Sequence, residues 1–274
     1  MSPLVTVEEL AAMYARHGVA VCDVRWYLAD PDRGRLEYDR AHLPGAVFVD
    51  LHTQLAGGPG GGRHPLPIVD DFTLLLGRLG IGPESTVAVY DNMGGAIAAR
   101  LWWMLRSIGH ERVAVLDGGY SAWVAADQPV SAEIPETDSR SYPPVGSWTG
   151  TVTADGVAES VAAGGMLIDA RAAERYRGET EPIDPRAGHI PGARNLPHLD
   201  NLSADGTHRS PTDLAERFDG LGDQPIVYCG SGVTACHDLL AMEIAGVTGG
   251  LLYPGSWSEW SSDAGRPVDV SPGH

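Results

Sequence analysis

The sequence predicts an α/β protein built as two similar halves, each a mainly parallel sheet with helices on both faces. Three observations carry that prediction. Apolar runs of strand length alternate with helical stretches along the whole chain. Several of those runs end abruptly in polar residues, as buried parallel strands do at their carboxyl tips. The second half also repeats the landmarks of the first, in order and nearly in register.

In the first half, residues 4–20 read as a short amphipathic helix. Thr6 suits its N-cap, Glu8 and Glu9 its first turn, and Gly18 its end. Val19-Ala20-Val21-Cys22-Asp23-Val24-Arg25 is a strand with a charged tip, and His42-Leu43-Pro44-Gly45-Ala46 turns into the short run Val47 to Val49. Residues 57–62 are almost all glycine and must be loop. Leu74 to Leu79 reads as helix, Thr86 to Tyr90 as strand, Ala96 to Ile108 as helix and Val113 to Leu116 as strand, the last followed by Asp117-Gly118-Gly119 and Trp123.

The second half follows the same plan. Ile168-Asp169-Ala170-Arg171 matches Cys22-Asp23-Val24-Arg25, and His189-Ile190-Pro191-Gly192-Ala193 matches His42 to Ala46. Ile226-Val227-Tyr228-Cys229 matches Ala88-Val89-Tyr90-Asp91, while Pro254-Gly255-Ser256 with Trp260 matches Asp117-Gly118-Gly119 with Trp123. Four matches in order indicate a duplicated domain. The expected division is 1–128 for the first copy, 129–152 for a proline-rich linker and 153–274 for the second copy.

The copies differ where chemistry is most expected. Ile226 to Tyr228 is a strand ending on Cys229, followed by Gly230-Ser231-Gly232-Val233-Thr234 and a helix from Ala235 to Ala245 stopped by Gly246. Strand, tight loop and helix together aim several backbone N–H groups at one point, here the sulfur. Such a setting favours a thiolate and makes Cys229 a candidate nucleophile, although a strand-end cysteine also suits an inert core. The first copy has Asp91 at the matching place, so the chemistry is expected in the second. Cys22 lies inside an apolar run and reads as core, as does Cys236 near the start of the helix.

Composition narrows the partners. A net charge of −17 argues against nucleic acid and against an anionic membrane surface. All 19 basic residues are arginine, which excludes a lysine Schiff base and a Walker-type phosphate loop. No run is long and apolar enough to cross a membrane, and the N-terminus lacks a secretory pattern, so the cytoplasm is the expected location. Three cysteines make no disulfide framework, and without a Cys-x-x-Cys pair or clustered histidines no zinc site is expected.

The duplicated plan, the two His-(Leu/Ile)-Pro-Gly-Ala turns, the Asp-x-Arg strand ends, the Cys229 loop and Gly255-Ser256-Trp257-Ser258-Glu259-Trp260 resemble the tandem-domain rhodanese family of sulfurtransferases over essentially the whole chain. Within that family, Cys229-Gly230-Ser231-Gly232-Val233-Thr234 is similar to the 3-mercaptopyruvate type, whereas thiosulfate-type loops carry basic residues just after the cysteine. The resemblance implies that Cys229 takes sulfur from a small-molecule donor as a persulfide. A thiol, a thioredoxin-like protein or cyanide then removes it, and no metal or organic cofactor takes part.

The resemblance also implies the remaining site residues. Gly230, Gly232, Val233 and Thr234 line the sulfur, and Arg175 and Arg186 clamp the donor's carboxylate, a task that suits the planar guanidinium. Ser231 assists proton transfer, aided by a histidine and an acid from the first copy. His64 falls at the histidine's place, while His52 occupies the acid's place; either Asp50, two residues earlier, substitutes for the acid or the relay is not used in this chain. Three rival readings are thiosulfate as the donor, a persulfide relay module with little small-molecule turnover, and a cysteine-loop phosphatase. The phosphatase would need an arginine six residues after the nucleophile, where this chain has Ala235.

Overall fold

The computed structural model describes residues 1–16, 18–58 and 61–270, so residues 59 and 60 of the glycine-rich loop and residue 17 of the first helical stretch lie outside the description. The chain forms two units. The first comprises residues 1–57, 67–149 and 204–208, and the second comprises 58–66, 150–203 and 209–274.

In the first unit the strands are β1 (Leu4–Val5), β2 (Val19–Asp23), β3 (Val47–Phe48), β4 (Thr86–Tyr90) and β5 (Val113–Leu116), arranged in the order β1-β5-β4-β2-β3. Every pairing is parallel, with Val21 opposite Ala88 and Ala88 opposite Ala114. The helices are α1 (Val7–Ala15), α2 (Arg33–Arg40), α3 (Val69–Arg78), α4 (Ala98–Ser107) and α5 (Gly119–Ala125).

Thr6 caps α1 as the sequence suggests. Its hydroxyl accepts from Glu9 N–H and the Glu9 carboxylate accepts from Thr6 N–H, a reciprocal capping box. Residues 4 and 5 are not helical, because pairing with Val115 and Leu116 turns them into an edge strand. That strand is too short to show period-two patterning. Helix α2 also escapes the sequence reading: Arg33–Arg40 is largely charged and carries no apolar stripe. Residues 129–149, expected as a linker, belong to the first unit. Ser131 bridges to His42, Arg140 N–H donates to Gly77 O, and Trp148 Nε1 donates to Pro67 O.

In the second unit the strands are β6 (Leu167–Asp169), β7 (Ala193–Asn195), β8 (Ile226–Tyr228) and β9 (Leu251–Leu252), all parallel and in the order β7-β6-β8-β9. The helices are α6 (Ala154–Ala162), α7 (Ala173–Tyr176), α8 (Pro211–Arg217), α9 (Ala235–Ile244) and α10 (Ser256–Trp260), with a 3-10 turn at His198–Asn201. Gly246 follows α9 at φ +79°, a left-handed C-terminal stop. Tyr176, Tyr228, Tyr253, Trp257 and Trp260 are buried together under the sheet. Aromatic burial of this kind contributes roughly 1.5–3 kcal/mol per side chain and holds the carboxyl ends of β6 and β8 in place. Both Asp-x-Arg pairs fold back on themselves in the same way. Asp169 receives Arg171 Nη2 at 2.6 Å, and Asp23 receives Arg25 Nη2 at 2.6 Å.

Candidate active site

β8 ends at Tyr228, so Cys229 is the first residue of the loop into α9, and its side chain is 1% exposed. Backbone bonds to α10 fix the loop: Trp257 N–H donates to Cys229 O at 2.9 Å, and Ser258 N–H donates to Gly230 O at 2.9 Å. Gly232 adopts φ +75°, and a Cβ there would stand 2.4 Å from Pro254 O, so only glycine fits. Val233 is buried, and Thr234 leads directly into α9 in helical conformation without a side-chain cap.

Ser256 also shapes the surroundings of Cys229. Its hydroxyl accepts Cys229 N–H at 3.1 Å and donates to Tyr253 O at 2.9 Å. It does so at φ +53°, a strained conformation for a residue with a Cβ. The matching residue of the first unit is Gly119, at φ +57°. Sequence matching aligned these two positions without showing what the serine does.

The first unit displays the chemistry of the loop directly, because there Asp91 replaces the cysteine. One Asp91 oxygen accepts from Met93 N–H at 2.8 Å and Gly95 N–H at 2.9 Å, and the other accepts from Ile97 N–H at 2.7 Å and Ala98 N–H at 2.9 Å. Four backbone donors thus converge on one anion. The corresponding residues of the second unit are Ser231, Val233, Ala235 and Cys236. A ring of this kind stabilises negative charge at the strand tip without any basic side chain.

Around the loop, His64 and Ser231 meet, with His64 Nδ1 2.8 Å from Ser231 Oγ. His64 comes from the first half of the sequence but lies in the second unit, on the segment 58–66. Gly62 permits this placement, since a Cβ there would lie 2.6 Å from Gly255 O. Asp50, by contrast, lies in the first unit and caps its own turn, accepting from Thr53 N–H and Thr53 Oγ1 at 2.8 Å each. His52 is stacked edge-on against Trp26.

The two arginines expected as a clamp part company. Arg175 stands beside the loop, and a Cβ on Gly230 would lie 3.4 Å from its Nη1. Its Nη2 donates to Glu181 at 2.6 Å and to Asp184 at 3.1 Å. Arg186 turns instead to backbone carbonyls at the end of α10 and just after it, donating to Trp260 O, Ser261 O, Asp263 O and Arg266 O at 2.6–2.9 Å. Those four carbonyls engage the guanidinium and tie down the C-terminal segment. The arginine that the sequence reading passed over is Arg63. A Cβ on Gly230 would lie 3.1 Å from Arg63 Nη2, and Arg63 Nη1 donates to Asp184 at 2.7 Å. Its adjacency to His64 was the available signal.

Beneath the loop, the first turn of α9 carries a buried polar cluster. Asp238 accepts from Asn201 Nδ2 at 2.6 Å, and Arg217 donates to Asn201 Oδ1 at 2.9 Å. Burial pushes the Asp238 carboxyl from 3.8 up to about 7, against the pull of Asn201 and Arg217. The folded chain therefore holds a proton that the unfolded chain releases above its lower value, so stability falls as pH rises through that window. Asp238→Asn is expected to remove this loss. Its stability relative to the parent chain should improve by about 2–3 kcal/mol between pH 5 and pH 8. Urea unfolding at both pH values checks this, and an equal difference at each would refute it.

Among the described residues no group of His, Cys, Asp and Glu could hold a metal ion, and no helix is long and apolar enough to cross a membrane.

The comparisons with known proteins agree with this geometry. The model for the Rhodanese-like domain matches residues 6–126 and 153–263. A Pseudomonas aeruginosa protein named a probable 3-mercaptopyruvate sulfurtransferase is 42% identical over 277 residues, 97% of each chain. A Mycobacterium tuberculosis protein provisionally named a thiosulfate sulfurtransferase is also 42% identical, over 97% of this chain and 96% of its own. Among solved structures, the 3-mercaptopyruvate sulfotransferase of Escherichia coli superposes with a TM-score of 0.81 at 31% identity, over 94% of this chain and 100% of its own. With two copies of the domain, a cysteine loop in the second and full-length relatives of this kind, the chain belongs to the rhodanese family and is a sulfurtransferase.

Proposed function

We propose that the chain takes sulfur from 3-mercaptopyruvate onto Cys229 and passes it to a thiol acceptor. The observation that carries this reading is the anion ring around Asp91. The same loop, with sulfur in place of carboxylate, is suited to hold a persulfide anion on the N–H groups of Ser231, Val233 and Ala235, the counterparts of three of the four Asp91 donors, while Cys236 N–H donates to Val233 O at 3.1 Å. Within the loop itself all residues are uncharged, which suits a donor whose carboxylate is separated from its sulfur. Arg175, beside Gly230, supports this reading as a partner for that carboxylate.

In the first step the Cys229 thiolate attacks the donor's thiol sulfur. The S–S bond forms and the sulfur–carbon bond breaks, with its electron pair going to the carbon. The proton of the donor's thiol ends on that carbon, so pyruvate leaves and Cys229 keeps a persulfide anion. Ser231 is the proton carrier in this reading, with His64 Nδ1 accepting from its hydroxyl when the imidazole proton sits on Nε2. In the second step an acceptor thiolate attacks the outer sulfur and Cys229 returns as a thiolate. The acceptor is a small thiol or a thioredoxin-like protein, with cyanide as a laboratory substitute. The three free cysteines suit a reducing, cytoplasmic compartment.

Donor choice tests the reading. The protein is incubated with 3-mercaptopyruvate or with thiosulfate, and the added sulfur is located by intact and peptide mass. Sulfur on Cys229 with faster turnover from 3-mercaptopyruvate is expected. Faster turnover from thiosulfate would overturn the donor, and sulfur from neither would leave a relay module.

A further inference from the structure

We infer that Arg63 is a specificity-determining residue that grips the donor's anionic group together with Arg175, a role that rests on the donor reading above. Arg63 and Arg175 approach the same point from two sides. A Cβ placed on Gly230 would lie 3.1 Å from Arg63 Nη2 and 3.4 Å from Arg175 Nη1, so both guanidinium edges stand against the loop at this one residue. Asp184 sits between them, 3% exposed, receiving Arg63 Nη1 at 2.7 Å and Arg175 Nη2 at 3.1 Å. One buried carboxylate thereby orients two guanidinium groups. Glu181 braces the second through Arg175 Nη2 at 2.6 Å.

The inner edges of both groups are left for a ligand. Arg63 Nη2 and Arg175 Nη1 make no hydrogen bond within the described residues, and the buried Arg63 Nε lacks an acceptor. Arg63 Nη2 and Arg175 Nη1, both beside Gly230, are the N–H edges offered to a donor carboxylate. Arg63 is also held from behind, its own N–H donating to Ser258 Oγ at 2.9 Å. It neighbours His64, so one short segment delivers both an anion-binding group and a proton acceptor to the loop. The geometry assigns to Arg63 the second position of the pair, which Arg186 does not fill because its donors are engaged by carbonyls.

The test uses the full chain with Arg63→Met and Arg63→Lys. With 3-mercaptopyruvate, Arg63→Met should raise KM about tenfold or more and raise the inhibition constant of pyruvate alike, while kcat at saturating donor changes by less than about threefold. Discharge of a loaded Cys229 by cyanide should keep its rate, since that half-reaction no longer holds the carboxylate. Arg63→Lys keeps a cation beside Asp184, so its Tm should match the parent's while KM still rises, which separates binding from mere packing. Unchanged KM and unchanged pyruvate inhibition in both variants would overturn the inference. If the parent chain itself is not charged by 3-mercaptopyruvate, the donor reading fails instead. The same series is then run with thiosulfate, also an anion, where an unmoved KM overturns the role of Arg63.

Discussion

Replacing Cys229 with Ser is expected to reduce sulfur transfer to background, a loss of at least roughly 10³-fold, with the fold retained. The hydroxyl oxygen is smaller than the thiol sulfur and does not form a persulfide. The other two thiols offer no substitute. Cys22 lies within β2, where burial pushes its thiol up to about 12, and Cys236 is fully buried at the start of α9 with its sulfur against Gly232 O. Steady-state turnover with 3-mercaptopyruvate and cyanide checks the loss, and peptide mass checks the site. Retained turnover, or sulfur carried by Cys22 or Cys236, would sink the mechanism.

The second large effect concerns stability rather than turnover. Asp91→Ala should destabilise the first unit by about 3–5 kcal/mol. The carboxylate is fully buried and serves four backbone N–H groups at the tip of β4 and the entry to α4. Without it those donors face one another with no acceptor, and the loop must open or admit water. Thermal unfolding of the variant should begin at a lower temperature than the parent's. Asp91→Asn should recover part of the loss, since one amide oxygen can still serve two of the four donors. A melting curve within the scatter of the parent's would show that the ring does not need an internal anion.

Much of the architecture was legible because it depends on local patterning. Strands β4 and β5 were readable to the residue from their apolar runs, and α9 nearly so from its apolar positions and the glycine that stops it. Duplication was readable because four landmarks recur in order, and it led directly to the contrast between Asp91 and Cys229. What escaped has identifiable causes. β1 exists only because Leu4 and Val5 find a partner in β5, and α2 is too charged to show a stripe.

The sequence by itself determined the α/β class and the repeat, which are written in spacing, and its motifs carried the resemblance to the family. It also determined that any anion-binding side chain must be arginine or histidine. Only the tertiary structure decided which of them face the loop. Arg186 lies in the expected stretch, yet carbonyls near the C-terminus engage its guanidinium. Arg63, 123 residues earlier in the chain, stands at Gly230 because the segment 58–66 folds into the second unit. The physical reason is range: strand and helix propensity act over a few residues, whereas a guanidinium settles wherever the folded chain offers the best acceptors.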